Sequence, residues 1–166
     1  MMNDDFVYTI LNVDDDDANR YAKMRILQRA GYRLIQATTG AEALRRLAED
    51  RPQLVLLDVM LPDCNGLEVC RLIKADPKTS DTMVLQISAS KVTVSDRIEG
   101  LEGGADSYLT EPVEPEVLVA SVKSLLRLYR REEENRRLVL AAQEGERLLQ
   151  STFEQASEAI LVCDND

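Results

Sequence analysis

Histidine is missing from all 166 residues. That absence removes from this chain every Ser-His-Asp or Cys-His nucleophile, every His-ligated metal site and any phosphohistidine. Cysteine is scarce: Cys64, Cys70 and Cys163 are odd in number and show no metal-ligand spacing. They read as reduced thiols of a cytoplasmic protein, two of them buried. There is no run of about 18 apolar residues, so no membrane contact is expected. The opening MMNDDF is acidic and lacks the basic stretch and apolar run of a signal peptide. Basic residues are outnumbered, 20 against 30 acidic, for a net charge of −10. Nucleic acid is therefore not an expected partner, because a general basic face is what phosphate backbones require. The acidic excess is uneven: residues 1–116 carry −8 and residues 117–166 carry −2. A cation site is to be sought in the first part.

What is present is an ordinary globular composition, 45% hydrophobic and 30% charged, at a length that suits one domain with an appendage. Apolar runs alternate with helical patterns. Strands are expected over Phe6–Val13, Tyr32–Ala37, Leu54–Leu57, Met83–Ile87 and Ser107–Thr110. Helices are expected over Ala18–Ala30 (Ala22, Ile26 and Ala30 inward), Ala41–Glu49 (Leu44, Leu47 and Ala48 inward), Leu67–Ala75 and Val94–Leu101, and from Pro115 onward. Strands alternating with helices of this length imply right-handed crossovers and a parallel sheet covered on both faces: an α/β fold.

The last helix runs on. From Pro115 to about Ala156 there is no proline and one glycine, Gly145. Some 40 residues at ~1.5 Å each would reach ~60 Å. Tyr129 to Arg137 is almost wholly charged, with Glu132–Arg136 and Glu133–Arg137 at helical spacing. A heptad seam through Leu128, Asn135, Leu138, Ala142 and Leu149 is broken by Arg131 and Gly145. Two readings stand: a solvated linker helix, or a two-stranded coiled coil joining two copies in a homodimer.

Four acids, Asp14 to Asp17, follow the first strand, and Asp58 ends the third in VLLDVMLP. Open parallel sheets bind ligands outside the carboxyl ends of their strands, where strand order reverses. If the first and third strands are neighbours, Asp14 and Asp15 converge on Asp58. Ionised together they need a cation, and hard oxygen ligands suit Mg²⁺. Acid at a helix N-terminus also matches the macrodipole. That accounts for Asp16 or Asp17 but not for Asp58. Ser88 ends the fourth strand in VLQISAS, and Glu111-Pro112 follows the fifth in SYLTEPV, where a cis bond would fix a tight turn.

These motifs, VDDD, LLDVMLPDCNGLEVC, ISAS and GGADSYLTEPV, together resemble the CheY-like receiver domain of two-component response regulators over residues 6–128. The resemblance implies a five-stranded flavodoxin-like sheet of order 2-1-3-4-5. It implies Mg²⁺ bound by Asp15 and Asp58, by Asp14 through water and by the backbone carbonyl of Met60. Asp58 would accept a phosphoryl group from a phosphohistidine on a kinase or phosphotransfer protein, and Ser88 and Tyr108 would form a switch pair. One position departs: the family has lysine where this chain has Glu111. Coulomb repulsion from a carboxylate at ~4 Å is roughly 1 kcal/mol in water and ~4 at an effective dielectric of 20. Either Glu111 turns outward, or phosphorylation is weakened, or another cation compensates, Lys91 being the nearest by sequence.

The end of the chain, LLQSTFEQASEAILVCDND, resembles the start of a PAS sensor domain, a helix leading to a first strand. The expected organisation is a receiver at 1–128, a helical linker at 129–150 and the beginning of a PAS domain at 151–166, part of a longer protein such as a PAS-containing histidine kinase. Two rivals remain open. One is a pseudo-receiver, an interaction module that no longer cycles phosphate, which Glu111 favours. The other is an Mg²⁺-dependent phosphohydrolase with an aspartyl nucleophile, which lacks a segment for a substrate cap.

Overall fold

The computed structural model describes residues 7–89, 98 and 102–163, the last five by backbone alone. The centre of the molecule is Leu54–Asp58 (β3), whose sequence LVLLD buries four residues and leaves the acid half-buried at its end. A strand apolar on both faces needs cover on both. Thr9–Val13 (β1) flanks it on one side and Met83–Ser88 (β4) on the other, both parallel to it. Arg33–Ala37 (β2) and Ser107–Thr110 (β5) complete a five-stranded sheet of order β2-β1-β3-β4-β5.

Between the strands lie Asp17–Arg29 (α1), Gly40–Asp50 (α2) and Gly66–Ala75 (α3), and Pro115–Cys163 (α4) follows β5. One sheet face packs Leu11, Val13, Val55, Leu57 and Val84 against Leu47 of α2 and Val69, Cys70 and Ile73 of α3. The other packs Ile10, Leu54, Leu56, Leu85 and Ile87 against Leu27 of α1 and Leu118, Val122 and Leu125 of α4. Asp16 caps α1 by accepting from the Asn19 N–H at 2.8 Å, and Thr39 caps α2 through the Glu42 N–H at 3.1 Å. The helix α3 stops at Asp76, in extended conformation before Pro77.

The helix faces differ from the sequence reading. In α1 Ile26 is half-buried against the core as expected, but the buried residues are Lys23 and Leu27, while Ala22 and Ala30 are exposed. A rotation of one residue, about 100°, brings a lysine inward because its carboxylate partners lie at the sheet edge. In α2, Ala43 is buried and Ala48 exposed. The helix expected over Val94–Leu101 lies outside the described residues apart from Ile98, which is helical.

The chain divides into two units, Met1–Tyr129 and Arg130–Asp166. In the second, α4 is solvent-exposed through residue 158 except for half-buried Arg136, which bonds Glu133 at 3.0 Å. Leu138, Leu140, Leu148, Leu149 and Phe153 are exposed on it. The strand expected within FEQASEAILVCD is not formed: the backbone is helical to Cys163. A short apolar run has no period that separates strand from helix. Without a partner strand, the helix is what satisfies its N–H and C=O groups locally. No helix of the described residues is long and apolar enough to cross a membrane.

Gly66 shows how tightly β3 and α3 are joined. A Cβ there would fall 2.0 Å from the Asp58 carbonyl oxygen and 2.9 Å from the Val59 Cα. Both are backbone atoms that cannot swing aside. The Gly66 N–H also donates to the Val59 carbonyl at 2.8 Å. Gly66→Ala is expected to destabilise the fold by about 1–3 kcal/mol, read as a lower urea midpoint. An unchanged midpoint would contradict this packing.

Candidate functional site

The strands deliver the acids. Val13 pairs with Leu57 and Asp58 pairs with Ile87, so β1 and β3 reach their carboxyl ends at the same level. Asp14 continues the ladder, its N–H donating to the Ala37 carbonyl at 3.2 Å. Its side chain is 1% exposed, whereas Asp15 is exposed and Asp58 half-buried. Each offers one oxygen to a cluster whose members all lie within 4.8 Å of one another. The convergence expected from the motifs is present.

The three carboxylates are not equivalent. Asp14 Oδ1 accepts the Asp16 N–H at 2.9 Å and its Oδ2 receives Lys23 Nζ at 2.7 Å. Asp58 Oδ1 accepts the Met60 N–H at 3.0 Å. With both Asp14 oxygens engaged, the exposed Asp15 carboxylate and the second oxygen of Asp58 are the better placed to meet a hard dication. The donor set fits Mg²⁺: oxygen only, anionic, and open to water. Burial pushes the Asp58 carboxyl up to about 6. The Met60 N–H opposes that rise; the Asp14 and Glu111 charges add to it, and the Lys23 charge lowers it. Ionising Asp58 in the fold therefore carries a stability cost, absent below the ordinary carboxylate range and fully present above about pH 6.

Glu111 does not turn outward. Its N–H donates to the Ser88 carbonyl at 2.7 Å, and its peptide to Pro112 is cis. Its Oε1 meets Lys23 Nζ at 2.8 Å and its Oε2 accepts from Asn19 Nδ2 at 3.4 Å. The compensating cation is thus Lys23 of α1. Lys91, the candidate by sequence proximity, lies outside the described residues. Burial alone would push the Lys23 ammonium down, but its bonds to Asp14 and Glu111 outweigh burial and hold it above its usual range. Lys23 escaped the sequence reading because a lysine between Ala22 and Leu27 looks like the solvated side of a helix. In the structure it lies four residues before Leu27 on the buried stripe, a face that the apolar pattern through Ala22 and Ile26 did not single out.

Ser88 is 1% exposed at the end of β4, and its Oγ lies 2.5 Å from the Tyr108 hydroxyl of β5. Gln86 pairs with Tyr108 and Ser88 with Thr110 across the two strands. Beside Lys23 and Glu111 a cleft of about 400 Å³ opens, lined also by Asn19, Ile87, Pro112 and Leu118. Cys70 is buried and Cys64 half-buried; both are free thiols.

Residues 10–123 match the family model of the response regulator receiver domain. The chain is similar to response regulator MprA of Mycobacterium leprae (strain TN), 43% identical over 118 residues, which is 71% of this chain and 50% of the relative. It spans about half the length of the curated relatives it matches. A crystal structure of a putative response regulator from Chloroflexus aurantiacus J-10-fl superposes with a TM-score of 0.71 at 35% identity, covering 74% of this chain and 99% of that one. The signal receiver domain of a signal transduction histidine kinase from Syntrophus aciditrophicus superposes with a TM-score of 0.68 at 32% identity, covering 73% and 91%.

Mg²⁺ is expected to raise the melting temperature by mass action, more at pH 7.5 than at pH 5, where Asp58 is mostly protonated. Asp15→Asn should abolish the rise. A thermal scan in which Mg²⁺ leaves both proteins unchanged would contradict the cation site.

Proposed function

Since this chain belongs to the response regulator receiver domain family, whose members accept a phosphoryl group on aspartate, we propose that Asp58 is its phosphoacceptor, served by Mg²⁺ on Asp14, Asp15, Asp58 and the Met60 carbonyl. The observation that carries this reading is the meeting of three carboxylates within 4.8 Å at the sheet edge, with Asp58 half-buried among them. In the transfer, one Asp58 oxygen forms a bond to phosphorus as the donor's P–N bond breaks, and that electron pair stays on the imidazole. Mg²⁺, when bound, offsets charge on the phosphoryl oxygens. The chain's own residues do the positioning. The Met60 N–H fixes one Asp58 oxygen at 3.0 Å, and Ser88 Oγ waits at the neighbouring strand end. Ser88 and Tyr108 then act as the switch pair, one hydroxyl drawn to the phosphoryl group and the other following it.

The donor is a phosphohistidine on a kinase or phosphotransfer protein, consistent with a chain that has no histidine of its own. We read the parent as a multidomain signalling protein in which α4 leads to a PAS domain and a kinase. The Syntrophus receiver, described as part of a histidine kinase, supports that context, while the MprA relatives are described as response regulators. The pseudo-receiver remains the alternative that Glu111 favours, although Lys23 on that carboxylate weakens it.

Exposed Leu128, Leu138 and Leu149 on α4 supply a partial seam for a parallel homodimer. Light scattering at tens of micromolar should give a dimer for the whole chain and a monomer for a version ending at Leu128. A monomer in both makes the helix a plain linker.

Acetyl phosphate with Mg²⁺ should add one phosphoryl group to the wild type and none to Asp58→Asn, measured by intact mass. No gain, or equal gain in both, would favour the pseudo-receiver.

A further inference from the structure

Lys23 has a buried ammonium shared by two carboxylates. The residue is 8% exposed, and its Nζ lies 2.7 Å from Asp14 Oδ2 and 2.8 Å from Glu111 Oε1. Burying an ammonium is costly unless it is paired, and pairing satisfies that need here. Two features go beyond a structural pair. An ammonium has three N–H donors, so Lys23 can keep Asp14 and exchange its bond to Glu111 for one to an incoming oxygen. The pair also sits on the acid cluster, because Asp14 belongs both to it and to the group converging on Asp58. Glu111 is a carboxylate and cannot bind phosphoryl oxygens. It follows β5 and precedes α4, and Lys23 and Asn19 together tie it to α1.

We propose that Lys23 supplies the ammonium that binds the phosphoryl group on Asp58, with Glu111 as its anchor in the unphosphorylated state. This assignment rests on Asp58 being the phosphoacceptor. The cation comes from α1, and the loop before α4 supplies its counter-ion, the reverse of the arrangement expected from the sequence motif. A phosphoryl group carries more charge than a carboxylate and forms the stronger charge-assisted bonds. It therefore draws Lys23 away from Glu111 and removes the ion pair between α1 and the loop before α4, leaving the longer 3.4 Å bond from Asn19 as the remaining tie. Phosphorylation is read out as the loss of an ion pair.

The test uses the full chain as wild type, Asp58→Asn, Lys23→Met and the double variant Lys23→Met/Glu111→Lys, which moves the ammonium to the loop. In the labelling step acetyl phosphate gives up its phosphoryl group: the P–O bond to acetate breaks, acetate keeps the electron pair, and a P–O bond to Asp58 forms. The rate is followed by intact mass, and Mg²⁺ binding by the shift in melting temperature. Lys23→Met should label about tenfold more slowly or worse, the size of a charge-assisted hydrogen bond. It should also respond to lower Mg²⁺ concentrations than wild type, because a positive charge has left the acid cluster. A merely structural role would weaken both readouts together. The double variant should recover to within a few-fold of the wild-type rate. Labelling of Lys23→Met at the wild-type rate, or a double variant as slow as Lys23→Met, overturns the proposal. Wild type that gains no phosphoryl group, or Asp58→Asn that gains as much, overturns the phosphoacceptor reading beneath it.

Discussion

Four carboxylates, those of Asp14, Asp15, Asp58 and Glu111, crowd the carboxyl edge of the sheet, and the buried ammonium of Lys23 is what the fold sets against them. Like charges this close repel, and the repulsion grows as water is excluded. Asp14 is relieved first, by Lys23 on one oxygen and the Asp16 N–H on the other. Glu111 is relieved by Lys23 and Asn19. Asp58 has one backbone N–H from Met60, and burial raises its carboxyl to about 6. The strain of an acid held in a partly dry site is concentrated where a cation or a phosphoryl group would arrive.

The fold makes that concentration unavoidable. Four of the five residues of β3 are buried, so its polar terminus can emerge only at the edge. Pairing of Val13 with Leu57 brings the end of β1 to the same place, and pairing of Ser88 with Thr110 brings the end of β4 and the Glu111 loop beside it. Gly66 keeps α3 against the Asp58 carbonyl. The site is thus an outcome of strand register, and the side chains need little freedom to reach one another.

Much of this was legible in the sequence. The five strands follow from apolar runs, and the meeting of Asp14, Asp15 and Asp58 follows once β1 and β3 are neighbours, an order that the family resemblance implied and the sheet shows. The 2.5 Å approach of Ser88 to Tyr108 places the expected switch pair together. Lys23 was not legible, because helix periodicity sorts residues by polarity and takes a lysine as a solvated face. Only the three-dimensional position of Asp14 and Glu111 makes an inward lysine favourable. For the same reason α1 is turned by one residue from its expected face. The end of α4 is helical where a strand was expected, for a different reason. A short apolar run fits strand or helix equally, and which forms depends on a partner strand that local sequence does not reveal.

The most direct measurement is a crystal structure of the full chain with Mg²⁺ and beryllofluoride, a phosphoryl mimic. The fluoride group is expected on Asp58, with Lys23 Nζ within hydrogen-bond distance of a fluorine and the Glu111 carboxylate detached from Lys23. Beryllofluoride seated on Asp58 while Lys23 still bridges Asp14 and Glu111 would contradict this expectation.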